Sequence, residues 1–268
     1  MKKTISIAVL AAATVCALAV LGGCKKKDPA VLTVGATPEP HAAMLSLVVE
    51  DLAKEGITLK VVEFTDYVTP NEAVESGQID ANFFQHVPYM ESFNTDKGFH
   101  LVSVGGTHVE PLALYSRKHT SIDALPEGAT IAIPNDPTNE GRALLLLQSV
   151  GLITLDAAAG LTATPINVTA NAKKFQFKEI EAASLPRVLE DVDGAVINGN
   201  YALPAGLAAN KDGILVEGAD SPYVNIVTVK AGNEADPRIQ ALMKALTSDK
   251  VREWIKVKYP NGDVVATF

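Results

Sequence analysis

Strand-like and helix-like stretches alternate along this chain from residue 31 onward, and that rhythm restricts the fold more than any single motif does. Val31 to Gly35 reads as a strand, and Met44, Leu47, Val48 and Leu52 then recur at helical spacing. Leu59 to Phe64 is the next strand. Thr69-Pro70-Asn71-Glu72 reads as a capping box with proline at the first helical position, and Gly77 marks the helix end. Further strands are expected at Ile79 to Phe84, Leu101 to Val104, Leu112 to Ser116 and Thr130 to Pro134, with a helix from about Asn139 to Val150. Such alternation argues for an α/β fold on mostly parallel sheets.

A two-fold echo runs through this pattern. A helix ending at Gly77 leads into QIDANFF, and a helix from about Leu185 to Asp191 leads into DVDGAVINGN. Each unit is helix, acidic turn, strand, then polar or aromatic side chains at the strand's C-terminal end, which is where open α/β sheets bind ligands. Two such units facing each other would wall a cleft between two lobes. Asp-Gly and Asp-Ala turns are common enough that the residues alone leave coincidence equally open.

The N-terminus fixes the compartment. Lys2 and Lys3 precede a nearly unbroken apolar run from Ile5 to Val20, and LGGC closes it at Cys24. This is a secretory signal; the run is short for a membrane span of about 20 residues and contains Thr14 and Cys16. The LGGC ending resembles the lipobox of bacterial lipoproteins, in which the cysteine is acylated and becomes the new N-terminus. A lipid on Cys24 would tether the protein to a membrane while the domain stays in water. Cys16 leaves with the signal, so no intrachain disulfide can form. The formal net charge is −8 and grows more negative once the signal lysines are removed, which excludes a nucleic-acid partner for lack of a basic footprint.

Aromatic residues make up only 6% of the chain, yet IDANFFQHVPY places two phenylalanines, His86 and Tyr89 within a few positions. On a strand, Phe83 and Phe84 face opposite sides, so Phe83 is assigned to the core; Phe64 suits either role. In IPNDPTNEGRALLLLQSVGL a strand ends at Pro134, Asn135, Asp136, Thr138 and Asn139 are turn or N-cap candidates, and Arg142 is expected in the first helical turn. A helix start with free N–H groups plus an arginine fork suits a carboxylate, although an arginine paired with Glu140 or another nearby acid is the commoner arrangement. Gly141 and Ala143 favour close approach by a neighbour. Asn198 ends a buried-looking strand and Asn225 interrupts another; each has either a structural partner or a ligand.

Other classes find less support. A metal-binding lipoprotein of a zinc or manganese importer has His41, His86, His108 and Glu110 on paper, but no two of those histidines have helical or strand ligand spacing and no cysteine pair exists. No metal site or cofactor is therefore assigned. Nor is there a nucleophile elbow, an HExxH or a phosphate-binding glycine loop, so the chain does not read as an enzyme.

The stretches FTDYVTPNEAVESGQIDANFFQHVPY, GATIAIPNDPTNEGRALLLLQSVGLI, EIEAASLPRVLEDVDGAVINGNYAL and SPYVNIVTVK resemble, in this order, the NlpA family of lipoproteins, methionine-binding components of bacterial ABC importers. PLALYS departs from the family in carrying Ala113 where relatives are expected to have glycine. The resemblance implies a periplasmic-binding-protein fold of two α/β lobes joined by crossing hinge strands. Its expected layout is a signal at 1–23, a lipidated stalk at 24–30, lobe 1 at 31–115, lobe 2 at 116–224, and a return to lobe 1 with C-terminal helices at 225–268. It implies L-methionine in the interlobe cleft, delivery to a permease driven by a cytoplasmic ATPase, and a lipid-anchored domain facing the periplasm or outer surface; another small amino acid is the nearest alternative ligand. Carried over by position, Tyr67, Phe84, His86 and Tyr89 resemble the aromatic side of the pocket. Arg142, Asn198 and Asn225 resemble the side that holds the amino-acid head.

Overall fold

A computed structural model describes residues 30–218 and 221–268; the signal, Cys24 and nearly all of the stalk lie outside the described residues. The chain first forms β1 (Val31–Ala36), α1 (Ala43–Lys54), β2 (Thr58–Glu63), α2 (Thr69–Glu75), β3 (Ala81–His86), α3 (Val87–Lys97) and β4 (Leu101–Val109). It crosses at residues 110–112 to β5 (Ala113–Tyr115), β6 (Thr130–Pro134), α4 (Pro137–Ser149), β7 (Thr154–Leu155), β8 (Val168–Ala170), β9 (Gln176–Ile180), α5 (Leu185–Val188), β10 (Gly194–Ile197), α6 (Gly199–Ala202), α7 (Ala209–Asp212) and β11 (Gly213–Val216). It then returns through β12 (Asn225–Lys230), α8 (Pro237–Leu246), α9 (Asp249–Lys258) and β13 (Val265–Ala266).

Two main sheets result, ordered β13-β4-β12-β3-β1-β2 and β11-β5-β10-β6-β9. Both are mixed, which corrects the expectation of mostly parallel sheets. Pairing is parallel in β2-β1-β3 and β9-β6-β10, and antiparallel where β12 and β5 join. The reason is topological: β5 and β12 enter straight from the other sheet, without the helical crossover that a parallel neighbour requires. β5, expected within lobe 1, thus pairs in the second sheet.

The echo read from the sequence has a structural cause. Asp80 precedes β3, its N–H donates to the Thr33 carbonyl, and its Oδ2 accepts from the Thr33 N–H at 2.8 Å. Asp193 precedes β10 and makes the same pair of bonds to Thr130, with Oδ2 again at 2.8 Å. Each acidic turn locks the register of a parallel strand, so each strand delivers its last residues to a set place.

Helix α1 buries Met44, Leu45, Val48 and Leu52 against β1 and α8, with Leu45 rather than Leu47 taking the innermost position. Every residue of β3 is buried, since both of its faces are covered. Phe83 enters the main core, Phe84 joins Tyr89 and Phe93 on the other side, and Asn82 and Gln85 pair with Asn71 in a closed amide network. Gly77 holds φ +75 just beyond α2, a left-handed conformation that glycine adopts without a Cβ clash. The expected capping box at Thr69 is absent. The helix starts one residue earlier, from Val68, whose carbonyl accepts from the Asn71 and Glu72 N–H groups, and Asp66 Oδ1 accepts from the N–H groups of Val68 and Thr69.

Candidate functional site

The C-terminal ends of β3, β6 and β10 converge on a cleft, and all seven expected site residues line it. On one side Tyr67 lies against Phe84 and Tyr89, with ring centroids 5.7 and 5.8 Å away, and against Tyr201 at 4.9 Å. Tyr89 donates its hydroxyl to the Tyr67 carbonyl at 2.8 Å, and Tyr67 donates to Asn200 Oδ1 at 2.6 Å. Both phenols are thereby oriented, and burial raises their pKa values, so they stay protonated. Sequence reasoning missed Asn200 and Tyr201, which follow Asn198 in the short helix α6.

His86 is the N-cap of α3. Its Nδ1 accepts from the Tyr89 N–H, so the ring proton belongs on Nε2, which faces Asn139 Oδ1 at 3.4 Å. Burial, and then the Arg142 charge, hold its pKa down at about 3, leaving the ring neutral.

Asp136 is the N-cap of α4 and accepts from both the backbone N–H and the side chain of Asn139. The helix start is thus filled by the protein's own carboxylate, which corrects the expectation of an anion site there. Asn139 Oδ1 in turn accepts from Asn198 Nδ2 at 2.7 Å. The chain Asp136–Asn139–Asn198 turns the Asn198 amide so that its Oδ1 has no partner among the described residues, and the same is true of Asn200 Nδ2. A buried amide atom without a partner costs roughly 1–3 kcal/mol. The cleft therefore presents one unpaired acceptor and one unpaired donor, a match for a molecule carrying both an ammonium and a carboxylate.

Arg142 sits in the second turn of α4 rather than the first and is buried, with 4% exposure. Its Nε donates to Glu217 Oε1 at 2.9 Å, and Nη2 donates to Glu217 Oε2 and, at 2.9 Å, to the Glu110 carbonyl. The guanidinium stacks on Tyr223 at 4.3 Å. The paired acid is Glu217, distant in sequence, and not Glu140. Among the described residues Nη1 has no hydrogen-bond partner. Gly141 explains the close approach that the small residues suggested: a Cβ there would lie 2.1 Å from the Leu161 carbonyl oxygen.

Beneath the cleft, residues dismissed as metal ligands on spacing are brought together. Glu110 Oε1 lies 3.0 Å from His108 Nε2 and 3.3 Å from His41 Nε2, and His41 Nε2 is also 3.0 Å from Asn225 Oδ1. Burial lowers His41 to about 4 and His108 to about 3, and raises Glu110 to about 6. Asn225 is thereby a structural partner of His41 as well as a cleft residue. The sequence signal that could have found them is the i, i+2 spacing of His108, on β4, and Glu110, just past its end.

The NlpA lipoprotein profile matches residues 32–268. The chain belongs to the NlpA lipoprotein family. Among NlpA relatives, the membrane lipoprotein TpN32 of Treponema pallidum is 49% identical over 262 residues, covering 98% of this chain and 97% of its own length. The D-methionine-binding lipoprotein MetQ of Escherichia coli is 44% identical over 253 residues, covering 92% and 93%. A solved nutrient binding protein from Burkholderia cenocepacia, bound to methionine, superposes with a TM-score of 0.86 at 46% identity, covering 88% of this chain and 100% of that one. This NlpA chain has the two-lobed α/β architecture of a periplasmic substrate-binding protein. Among its described residues no helix is long and apolar enough to cross a membrane.

Proposed function

We propose that this protein captures methionine in the cleft between its two sheets and delivers it to an ABC-importer permease driven by a cytoplasmic ATPase. A lipid on Cys24 would hold it at the membrane, with the domain facing the periplasm or outer surface. The role is capture and delivery, without catalysis. The observation that carries the reading is the make-up of the cleft, which combines the rings of Tyr67, Phe84 and Tyr89 with Arg142 and the unpaired atoms of Asn198 and Asn200. In this reading Arg142 and Asn200 Nδ2 take the ligand carboxylate. Asn198 Oδ1 takes the ammonium, and Asn225 borders the same end. Tyr67, Phe84, His86 and Tyr89 form the wall for a neutral side chain, where a thioether beside ring edges gains roughly 0.3–1.5 kcal/mol per contact.

The methionine-bound relative and the relatives named as methionine-binding support this assignment. Calorimetric titration with L- and D-methionine tests it, on protein unfolded and refolded to remove any ligand carried through purification. Stoichiometric, saturable heat is expected with L-methionine. No binding of either enantiomer, with the refolded chain showing native circular dichroism, would overturn the reading.

A further inference from the structure

The His41–His108–Glu110 cluster is buried and brings three ligand-type side chains to one point. Thr107 Oγ1 lies 3.2 Å from the Asn225 carbonyl and 2.8 Å from His108 Nδ1, and its one hydrogen can serve only one of them. When it serves the carbonyl, His108 Nδ1 carries the ring proton and Nε2 is a bare lone pair. That lone pair faces Glu110 Oε1, another acceptor, across 3.0 Å, an arrangement completed by a positive centre between them.

We propose that this centre is a divalent transition-metal cation of the zinc class, held by His41 Nε2, His108 Nε2 and Glu110 Oε1, with Asn225 Oδ1 closing the fourth position. The spacing fits. Bonds of about 2.0–2.1 Å in a tetrahedral site separate neighbouring ligand atoms by roughly 3.3 Å. The observed separations are 3.0 Å from Glu110 to His108, 3.3 Å from Glu110 to His41, and 3.0 Å from His41 to Asn225. His41, His108 and Glu110 each offer an atom within 4.8 Å of the others.

The surroundings are those of a metal site. Each histidine has its second nitrogen against a threonine hydroxyl, Thr37 at 2.7 Å and Thr107 at 2.8 Å, and such outer partners orient the ligating nitrogen. Two neutral imidazoles with a carboxylate make a borderline donor set that suits zinc, copper or nickel over magnesium or calcium. Glu110 also lines the cleft, which supplies a path for entry. The ion would sit where the first crossing begins, at Glu110, and the return ends, at Asn225, and would cross-link them to the segment after β1. This site shares Asn225 with the border of the methionine cleft but needs no bound amino acid, so its test uses none.

Cobalt(II) titration into chelator-stripped full-length protein reads the site directly, because tetrahedral cobalt absorbs visible light. A single equivalent with tetrahedral bands is expected, lost in His108→Ala and in Glu110→Gln and retained in His119→Ala, whose histidine pairs with Asp193 elsewhere. Zinc should raise the melting temperature of the parent and leave that of Glu110→Gln unchanged, a readout that holds if His108→Ala fails to fold. No cobalt uptake and no zinc-dependent shift in the folded parent would overturn the proposal, as would bands that survive Glu110→Gln; a proton shared by Glu110 and His108 would then be the positive centre.

Discussion

Replacing Arg142 with alanine separates its two duties, which the geometry makes unequal. The guanidinium is buried, and it holds Glu217 through Nε and Nη2 and the Glu110 carbonyl through Nη2, leaving Nη1 for a ligand carboxylate. Loss of one charge-assisted hydrogen bond to the ligand costs roughly 1.5–3 kcal/mol. A second contribution comes from Glu217, which in the variant meets the incoming carboxylate as an uncompensated like charge. Together these give about 2–5 kcal/mol, a loss of roughly 30- to 4,000-fold in methionine affinity.

The two contributions are separable. Adding Glu217→Gln to Arg142→Ala removes the repulsion but not the missing donor, so about tenfold of the affinity should return, and not all of it. Arg142→Lys should recover little, because one ammonium cannot hold Glu217 at two points, the Glu110 carbonyl and a ligand together. Calorimetric titration of the three variants, with urea unfolding to confirm the fold, measures this. Affinity of Arg142→Ala within about threefold of the parent would refute the reasoning and leave the arginine a purely structural partner of Glu217.

Three further outcomes follow from the same geometry. Norleucine, which keeps length and loses sulfur, should bind more weakly than methionine by roughly 0.3–1.5 kcal/mol. Leucine should bind more weakly by roughly 1–3 kcal/mol, and Phe84→Ala should narrow the methionine–leucine gap in competitive titration; equal binding of the three amino acids would contradict the assignment. In chelator-stripped protein, because burial depresses His41, His86 and His108 from 6.5 to about 4, 3 and 3, the unfolded chain binds their protons first as pH falls. Stability should then be full above pH 6.5 and decline toward pH 4, partly offset between pH 4.5 and 6 by Glu110, whose raised pKa favours the folded state when protonated; a flat urea midpoint from about pH 7 to 5 would count against it. Gly141→Ala should lower the melting temperature, since overlap with the Leu161 carbonyl costs about 1–3 kcal/mol and outweighs a helix-propensity gain of about 1.

What the sequence disclosed was local. Thr130 to Pro134 reads as a strand and is one, and the two acidic turns read as echoes because Asp80 and Asp193 make the same pair of bonds to the start of a neighbouring strand. The seven cleft residues were reached through a family resemblance, whereas residue type alone left Arg142, Asn198 and Asn225 divided between structure and ligand. The partners that decide those cases lie far away in sequence: Glu217 for Arg142, Asn139 for Asn198, His41 for Asn225. Hydrophobic periodicity reports which face of an element is buried, and carries no information about which polar group meets it there. The capping box failed for a related reason, since Val68, just outside the motif, starts the helix and accepts the Glu72 N–H, and Asp66 takes the Thr69 N–H.

The placement of these partners also bears on motion. Asn225 begins β12 in the first sheet, Arg142 stands on α4 beside the second, and Glu110 lies in the crossing between them while its carbonyl accepts from Arg142. A ligand held by Arg142 at one edge and by the rings of β3 and α3 at the other bridges both sheets, so part of its binding energy acts on the angle between them. The aromatic wall already crosses the cleft, because Tyr67 of the first lobe donates to Asn200 of the second at 2.6 Å. Removing that bond with Tyr67→Phe weakens the hold on the closed arrangement while sparing the ring. Closure then depends more on the ligand, and the methionine-induced decrease in radius of gyration, read by small-angle scattering, should grow in the variant; an unchanged decrease would mean that the Tyr67–Asn200 bond has no part in closing the cleft.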